Sequence, residues 1–152
     1  MIEFIIGGAR SGKSLLAEHR AAASGLAVTY VATARAEDAE MARRVAHHRA
    51  RRPAAWGAVE APLELAAALR QQAAPQRCLI VDCLTLWLSN LFFAGRAAAQ
   101  AEAGEAPDCS LLVGQVHDLL GTLPTLPGRI LLVSNEVDRK STRLNSSHIT
   151  IS

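Results

Sequence analysis

The feature that most constrains the fold of this chain is a glycine-rich segment near its start, Gly7-Gly8-Ala9-Arg10-Ser11-Gly12-Lys13-Ser14. It fits the pattern G-x-x-x-x-G-K-[ST] in full. The β-branched run at residues 2–6 predicts a buried strand before it, and residues 13–23 predict a helix after it. A strand, a tight turn and a helix in that order are the context that this pattern requires. A chance glycine-rich turn is therefore the weaker interpretation.

The residue types of this segment suit the binding of phosphate oxygens. Glycines let successive backbone N–H groups turn toward an anion, and the start of the helix adds the positive end of its dipole. Lys13 can place a positive charge on the β- and γ-phosphates of a nucleotide, and the Ser14 hydroxyl can ligate Mg²⁺. The segment therefore predicts a phosphate-binding loop for a nucleotide and its magnesium ion.

Strand and helix patterns alternate along the rest of the chain. Strands are predicted at residues 27–33, 55–60, 78–83 and 129–135, and helices at residues 37–52, 62–73, 84–93 and 110–123. The Ala-, Gly-, Glu- and Pro-containing stretch 95–108 between the last two helices predicts a mobile linker. Strands that alternate with helices imply crossover connections, so we expect an α/β fold with a mainly parallel sheet and helices on both faces.

Charge and composition exclude several classes of function. A net charge of +2 is too small to indicate a basic surface that binds nucleic acid, and 4% aromatic residues are too few for a surface that stacks on bases. Three cysteines without metal-like spacing fit reduced thiols. The apolar start is too short to span a membrane and lacks the features of a signal peptide. We expect a soluble, cytoplasmic protein with a small-molecule substrate, no nucleic-acid partner and no membrane span.

The end of the chain differs in composition from the Ala/Leu-rich body. From Asp138 it becomes rich in Ser and Thr, ending RKSTRLNSSHITIS. This stretch is either a disordered native tail or a foreign extension from a cloning or assembly junction, and the abrupt change favours the second. We therefore expect one nucleotide-binding domain over residues 1–137 and a tail over 138–152 outside the fold.

Asp82 ends the apolar run CLIVD, which predicts a fully buried strand. Open α/β sheets bind their ligands at the carboxyl ends of parallel strands. Because Mg²⁺ prefers oxygen ligands and keeps several waters, Asp82 is predicted to hold the ion directly or through a water. The alternative is a helix N-cap for the segment that starts at Leu84.

A histidine pair, His47 and His48, lies in the helix predicted at residues 37–52. At about 100° per residue, His48 falls at the edge of the inward-facing stripe and His47 on the charged side. Imidazole is a nucleophile able to form a covalent intermediate, and the arginines around the pair attract anions. The alternative is a solvated helix face without a chemical role.

Together these stretches resemble one family, the bifunctional adenosylcobinamide kinase / adenosylcobinamide-phosphate guanylyltransferases of cobalamin biosynthesis. The resemblance covers residues 1–137. The stretches that carry it are GGARSGKS at 7–14, YVAT at 30–33, AEMARRVAHHRARRP at 39–53, WGAVEAP at 56–62, the run 78–92 that ends SNLF, and LLVSNEV at 131–137. A phosphate loop alone is not specific, whereas a phosphate loop, a double histidine and a strand ending in NEV are much more so.

The resemblance implies a RecA-like P-loop fold, homotrimers, and two reactions that use ATP or GTP with Mg²⁺ on a corrinoid substrate. It implies that His48 is the nucleophile that takes GMP from GTP, and that the loop 7–14 binds the phosphates. The other positions that match nucleotide contacts of the family are Ala32, Thr33, Ala34, Arg49, Ala50, Arg51, Arg52, Glu60 and Asp82. Family members continue after NEV with a glycine-containing segment and further elements, so we expect the C-terminal part of the domain to be missing.

Three other functions stay open on the sequence. A P-loop kinase of another small metabolite would use Lys13 and Asp82 and give His48 no role. A nucleotide-binding module that couples hydrolysis to a partner would bind nucleotide without transferring any group to a corrinoid. The unusual end of the chain also allows an inactive fragment.

Overall fold

The computed structural model describes residues 1–8, 11–35, 42, 43, 46, 47, 50, 52–135 and 149–151. These residues form one six-stranded sheet of order β3-β2-β4-β5-β1-β6, in which the first five strands of the chain run parallel. The strands are β1 Ile2–Gly7, β2 Ala27–Ala32, β3 Gly57–Glu60, β4 Arg77–Asp82, β5 Arg129–Asn135 and β6 Ile149–Ile151. The predicted α/β architecture with a mainly parallel sheet is confirmed.

The helices are α1 Lys13–Ala23, α2 Leu65–Gln72, α3 Leu84–Ala94, α4 Ala97–Glu102 and α5 Ser110–Thr122, and a 3₁₀ turn Leu123–Thr125 follows α5. Residues 42, 43, 46, 47 and 50 also have helical backbone, within the helix predicted at 37–52. The bounds of that helix lie outside the described residues. No described helix is long and apolar enough to cross a membrane.

The central strands are buried on both faces because consecutive residues in them are apolar. Leu79 and Val81 of β4 pack with α2, α3 and α5 through side chains such as Leu69 and Trp87. Ile80, which alternates with them, belongs to the opposite cluster, where α1 covers the sheet. Side chains alternate across a strand, so an uninterrupted apolar run requires cover on both sides. The predicted placement of helices on both faces is confirmed.

The strand register brings the carboxyl ends of the five parallel strands to one edge of the sheet. Ala32 of β2 pairs with Glu60 of β3 on one side and with Asp82 of β4 on the other. Gly7 at the end of β1 pairs with Asn135 at the end of β5. The glycine-rich loop therefore leaves the sheet at the same edge as Asp82, although β5 separates β1 from β4.

Two predictions about local structure are wrong, namely a linker over residues 95–108 and a helix that begins at Pro62. The stretch 95–108 contains helix α4, because its alanine-rich sequence has high helix propensity and Ala97 is buried against the rest of the fold. Helix α2 begins at Leu65, three residues after Pro62. The Pro62 and Leu63 carbonyls instead accept hydrogen bonds from Asn90 and Trp87 of α3, which holds this segment outside the helix.

The end of the chain contributes a short edge strand. Ile149–Ile151, in the segment expected to lie outside the fold, pairs antiparallel with β1. Residues 136–148 and 152 lie outside the described residues. The expected domain boundary at residue 137 and the origin of the segment after it stay predictions.

Candidate active site

The glycine-rich loop folds back on itself at the carboxyl end of β1. The Ser11 N–H donates to the Gly8 carbonyl at 3.2 Å, and Gly12 has a φ of 81°. This left-handed backbone favours glycine because a side chain there is strained. Helix α1 starts directly after Gly12, whose carbonyl accepts the Leu16 N–H at 2.9 Å. Ala9 and Arg10, predicted contacts of the loop, lie outside the described residues.

Lys13 lies across this loop rather than in solvent. Its ammonium donates to the Gly8 carbonyl at 3.0 Å, and only 7% of the residue is exposed. A buried ammonium is costly unless it is hydrogen-bonded, so the loop carbonyl stabilises it in this position. The nearby Ser11 Oγ is buried and has no hydrogen-bond partner in the part of the chain that the structure describes. The loop thus combines a positive charge with a polar atom that can bind a further group.

Asp82 joins the phosphate loop through Ser14. Its Oδ2 atom accepts the Ser14 hydroxyl at 3.0 Å and also accepts the Tyr30 hydroxyl. The alternative role of Asp82 as the N-cap of α3 is wrong, because Cys83 occupies that position and its Sγ accepts the Leu86 N–H at 3.4 Å. The structure therefore brings together the two side chains that were predicted to hold Mg²⁺.

Tyr30 is a functional candidate that the sequence did not identify. It lies in β2, is 7% exposed, and the guanidinium carbon of Arg52 lies 3.6 Å from the centroid of its ring. Burial and then the Asp82 carboxylate raise the pKa of Tyr30 above its ordinary value, so the hydroxyl keeps its proton and acts as a donor. The signal available in the sequence was the chain's single tyrosine, two residues before the end of a mostly apolar strand.

Thr33 ties the end of β2 to the end of β4. It is fully buried, its hydroxyl donates to the Cys83 carbonyl at 2.8 Å, and it accepts the Cys83 N–H at 2.9 Å. The Thr33 N–H donates to the Asp82 carbonyl at 3.1 Å. Burial raises the pKa of the Cys83 thiol, so this cysteine is a neutral thiol next to the site. Ala32, which is half-buried, pairs with Asp82 across the two strands, and Ala34 is half-buried in the segment after β2.

Polar side chains of helix α3 form hydrogen bonds with the backbone at the ends of several strands. Asn90 Nδ2 donates to the carbonyls of Thr33 at 2.8 Å and Pro62 at 3.1 Å, so one side chain connects the segments after β2 and β3. At the start of the helix, the Thr85 hydroxyl accepts the Asn135 N–H at 2.8 Å. The polar residues of α3 thus fix the distances between the segments that form the edge.

Glu60 lies exposed at the end of β3, two strands from Asp82. It lines a groove of about 370 Å³ together with residues that include Pro62, Glu64 and Gln71. The structure therefore brings Glu60 to the same edge as the phosphate loop without direct contact to Asp82. An exposed carboxylate beside a groove can accept hydrogen bonds from the N–H groups of a bound base.

The histidine region is described only in part. His47 is exposed, as its helical position predicts, and Ala50 is exposed with helical backbone. His48, Arg49 and Arg51 lie outside the described residues, so their predicted roles stay predictions. Arg52 at the end of this segment does reach the site, through the face of the Tyr30 ring.

Comparison with known proteins bears on the identity of this arrangement. The model of the family described as cobinamide kinase / cobinamide phosphate guanyltransferase matches residues 3–147. The chain is 57% identical over 136 residues to the bifunctional adenosylcobalamin biosynthesis protein CobP of Pseudomonas aeruginosa, covering 90% of this chain and 72% of that protein. It is 33% identical over 140 residues to the bifunctional adenosylcobalamin biosynthesis protein CobU of Salmonella typhimurium, covering 90% of this chain and 76% of that protein. The chain therefore belongs to the cobinamide kinase / cobinamide phosphate guanyltransferase family of cobalamin biosynthesis.

Proposed function

We propose that the chain carries out both reactions of its family with one nucleotide-binding edge. In the first, ATP or GTP gives its γ-phosphate to the hydroxyl of adenosylcobinamide. In the second, GTP gives GMP to adenosylcobinamide phosphate by way of His48, and the product is adenosylcobinamide-GDP. The observation that carries the proposal is the juxtaposition of Lys13, Ser14 and Asp82 at the carboxyl ends of β1 and β4.

The phosphoryl transfer depends on the residues of the loop. Gly7, Gly8, Ala9, Arg10, Ser11 and Gly12 supply the backbone that surrounds the phosphates, with Lys13 and Ser14 behind them. The Lys13 ammonium bonds to a neutral carbonyl at 3.0 Å, and a phosphate oxygen in the loop offers it a stronger, charge-assisted bond. Transfer of a phosphoryl group needs positioning and charge neutralisation more than covalent help, and this loop can provide both.

The Ser14–Asp82 pair fits a magnesium ion. A hydroxyl and a carboxylate oxygen 3.0 Å apart offer hard oxygen ligands, and Mg²⁺ in nucleotide sites takes few ligands from the protein. When bound, the ion neutralises charge on the phosphate oxygens. Among the described residues no three His, Cys, Asp or Glu side chains converge on one point.

The guanylyl transfer depends on the histidine segment. A neutral His48 imidazole nitrogen attacks the α-phosphorus of GTP, a nitrogen–phosphorus bond forms, and pyrophosphate leaves. The phosphate oxygen of the corrinoid then attacks the same phosphorus and releases the histidine. The positive charges of the neighbouring Arg49, Arg51 and Arg52 attract the triphosphate.

The nucleoside is held by the positions that match family contacts. Ala32, Thr33 and Ala34 follow β2, Ala50 lies in the arginine segment, and Glu60 borders the groove at the end of β3. The approach of Thr33 to Asp82 and of Arg52 to Tyr30 supports one continuous nucleotide site. We further propose that the protein is cytoplasmic, which fits its three free cysteines. We also propose that it forms the homotrimer that the family resemblance implies.

Labelling with radioactive GTP tests the proposal. Incubation with GTP carrying ³²P at the α-position should label the protein, and γ-labelled GTP should not give the same adduct. The bond should be labile in acid and stable in base, as expected for phosphorus on a ring nitrogen. His48→Ala should lose the label and the guanylyl transfer and keep kinase activity, since γ-transfer needs no covalent histidine.

His47→Ala is the matched control, because it changes the exposed neighbour of the same segment. It should retain most of the label. Labelling that survives His48→Ala in a folded protein would reject the histidine mechanism and leave a P-loop kinase of another metabolite. Nucleotide hydrolysis without transfer to a corrinoid would instead favour the nucleotide-binding module, and no nucleotide binding at all would indicate an inactive fragment.

A further inference from the structure

We propose that Tyr30 is a positioning residue that serves both halves of the nucleotide site at once. Its hydroxyl orients the Asp82 carboxylate toward the phosphate loop, and its ring face supports Arg52 at the end of the histidine segment. The inference rests on the proposed function of the same edge. It adds a residue whose contacts connect the kinase machinery to the guanylyl-transfer segment.

The first half of the argument is the hydrogen bonding at Asp82. One carboxylate oxygen, Oδ2, accepts two hydroxyls, from Ser14 of α1 and from Tyr30 of β2. Ser14 has a second task, because its oxygen is the proposed ligand of the metal ion. Tyr30 is buried and has no such task, so its bond can hold the carboxylate in one orientation whether or not nucleotide is present.

The second half is the contact on the ring face. The Arg52 guanidinium carbon lies 3.6 Å from the ring centroid, in the range of a cation–π interaction. Arg52 follows the histidine pair by four residues along the chain. Tyr30 therefore touches the magnesium carboxylate with its hydroxyl and the arginine stretch with its ring.

The competing interpretation is that Tyr30 only fills the core. It belongs to the apolar cluster that includes Ile5, Ala17 and Ile80. A filling role depends on the ring and not on the hydroxyl. Tyr30→Phe keeps the ring, so the two interpretations predict different results for this substitution.

The first experiment measures how GTP binding depends on the concentration of Mg²⁺, by calorimetric titration of the full chain. Tyr30→Phe should raise the Mg²⁺ concentration for half-maximal binding about tenfold, the effect of one lost hydrogen bond to a charged group. Saturating Mg²⁺ should restore most of the affinity. The control is Thr122→Val, which removes a buried hydroxyl that accepts from Arg70 at 2.7 Å, far from the edge, and should leave the midpoint unchanged.

The second experiment uses the fact that the chain has one tyrosine. Incorporation of tyrosine labelled with ¹³C at Cζ gives a single NMR resonance that reports on the phenol hydroxyl. Addition of Mg²⁺ with GTP should shift this resonance, and Asp82→Asn should shift it in the absence of ligand. Thr122→Val should leave the resonance in place. An unshifted resonance in all samples would reject a link between Tyr30 and the ion.

The ring contact has its own test. At saturating Mg²⁺, Tyr30→Leu, which removes the ring as well as the hydroxyl, should slow the formation of the protein-bound GMP adduct, whereas Tyr30→Phe should keep it. Equal labelling in the two folded variants would reject the role of the Tyr30 ring in supporting Arg52.

If GTP binding to the unchanged protein shows no dependence on Mg²⁺, the proposed magnesium site is wrong and the inference is rejected with it. A normal dependence that Tyr30→Phe does not alter rejects the role of Tyr30 alone.

Discussion

At the scale of single residues, the site is organised by polar groups that are buried or half-buried and hydrogen-bonded to each other or to the backbone. Lys13 donates to the Gly8 carbonyl, and Asp82 accepts from Ser14 and Tyr30. A buried polar group without a partner is costly, so each of these bonds fixes the side chain that makes it. These bonds hold Lys13 and Asp82 in defined positions at the edge of the sheet.

The removal of the loop lysine tests this arrangement. Lys13→Ala should weaken the binding of Mg²⁺–GTP about a hundredfold or more, because a charge-assisted bond to the phosphates is lost. Calorimetric titration measures the affinity. Arg70→Ala, which removes a surface cation paired with Asp118, is the control and should bind as the unchanged protein does. Unchanged affinity in a folded Lys13→Ala protein would contradict the assignment of the loop.

At the scale of elements, helix α3 and the start of helix α5 show how helices are held in place. Helix α3 uses its polar side chains to bind backbone carbonyls beyond the strand ends. Helix α5 is preceded by Asp108, whose carboxylate accepts the Ser110 N–H at 3.0 Å. This backbone hydrogen bond is the largest of the effects that lower the pKa of Asp108 below its ordinary value. A negative charge at the start of a helix also meets the positive end of its dipole.

The lowered pKa predicts a pH-dependent contribution to stability. Because the folded pKa lies below the unfolded value of about 3.9, the contribution is present above that pH and is lost as the pH falls through the folded pKa. Asp108→Ala should therefore lower the melting temperature slightly at pH 7, and the difference should shrink as the pH falls below about 3.9. Glu105→Ala, at another exposed carboxylate before α5, is the control. A difference that persists unchanged at low pH would show that the carboxylate charge is not the cause.

At the scale of the whole molecule, the carboxyl and amino-terminal ends of the parallel strands have different roles. The carboxyl end carries the proposed nucleotide site. Toward the amino-terminal end, the buried Glu3 of β1 pairs with Arg20 of α1 at 2.9 Å and with Arg129 of β5. These ion pairs connect the strand before the loop to the helix after it and to the neighbouring strand. Removing one member of a buried ion pair leaves the charge of the other member uncompensated. Glu3 therefore stabilises the fold at this end of the sheet.

The segment after residue 137 is tested at the same scale. Deletion of residues 141–152 should change the melting temperature little, because it removes a three-residue edge strand while β1 keeps its pairing with β5. The binding of Mg²⁺–GTP should also persist. A large fall in the melting temperature would show that the edge strand is a structural element of the domain and that the expected boundary is wrong.

The phosphate loop, the alternation of strands and helices and the buried central strands were all predictable from the sequence. Each depends on neighbouring residues, either through a contiguous motif or through the period of apolar side chains. Helix α1 and strand β5 have the predicted bounds for this reason. The helix α4 was missed because a short alanine-rich run between loop residues has no periodic pattern.

Apart from Ser14 and Asp82, which the sequence assigns to the same ion, the tertiary structure alone decided which distant residues meet. Tyr30 and Asp82 are 52 positions apart, and Asn90 lies 57 positions from the Thr33 carbonyl that it binds. No local pattern encodes such pairs, because the strand order that brings β2 beside β4 arises from packing of the whole sheet. The sequence determined the chemistry of the loop, and the strand order determined which side chains complete it.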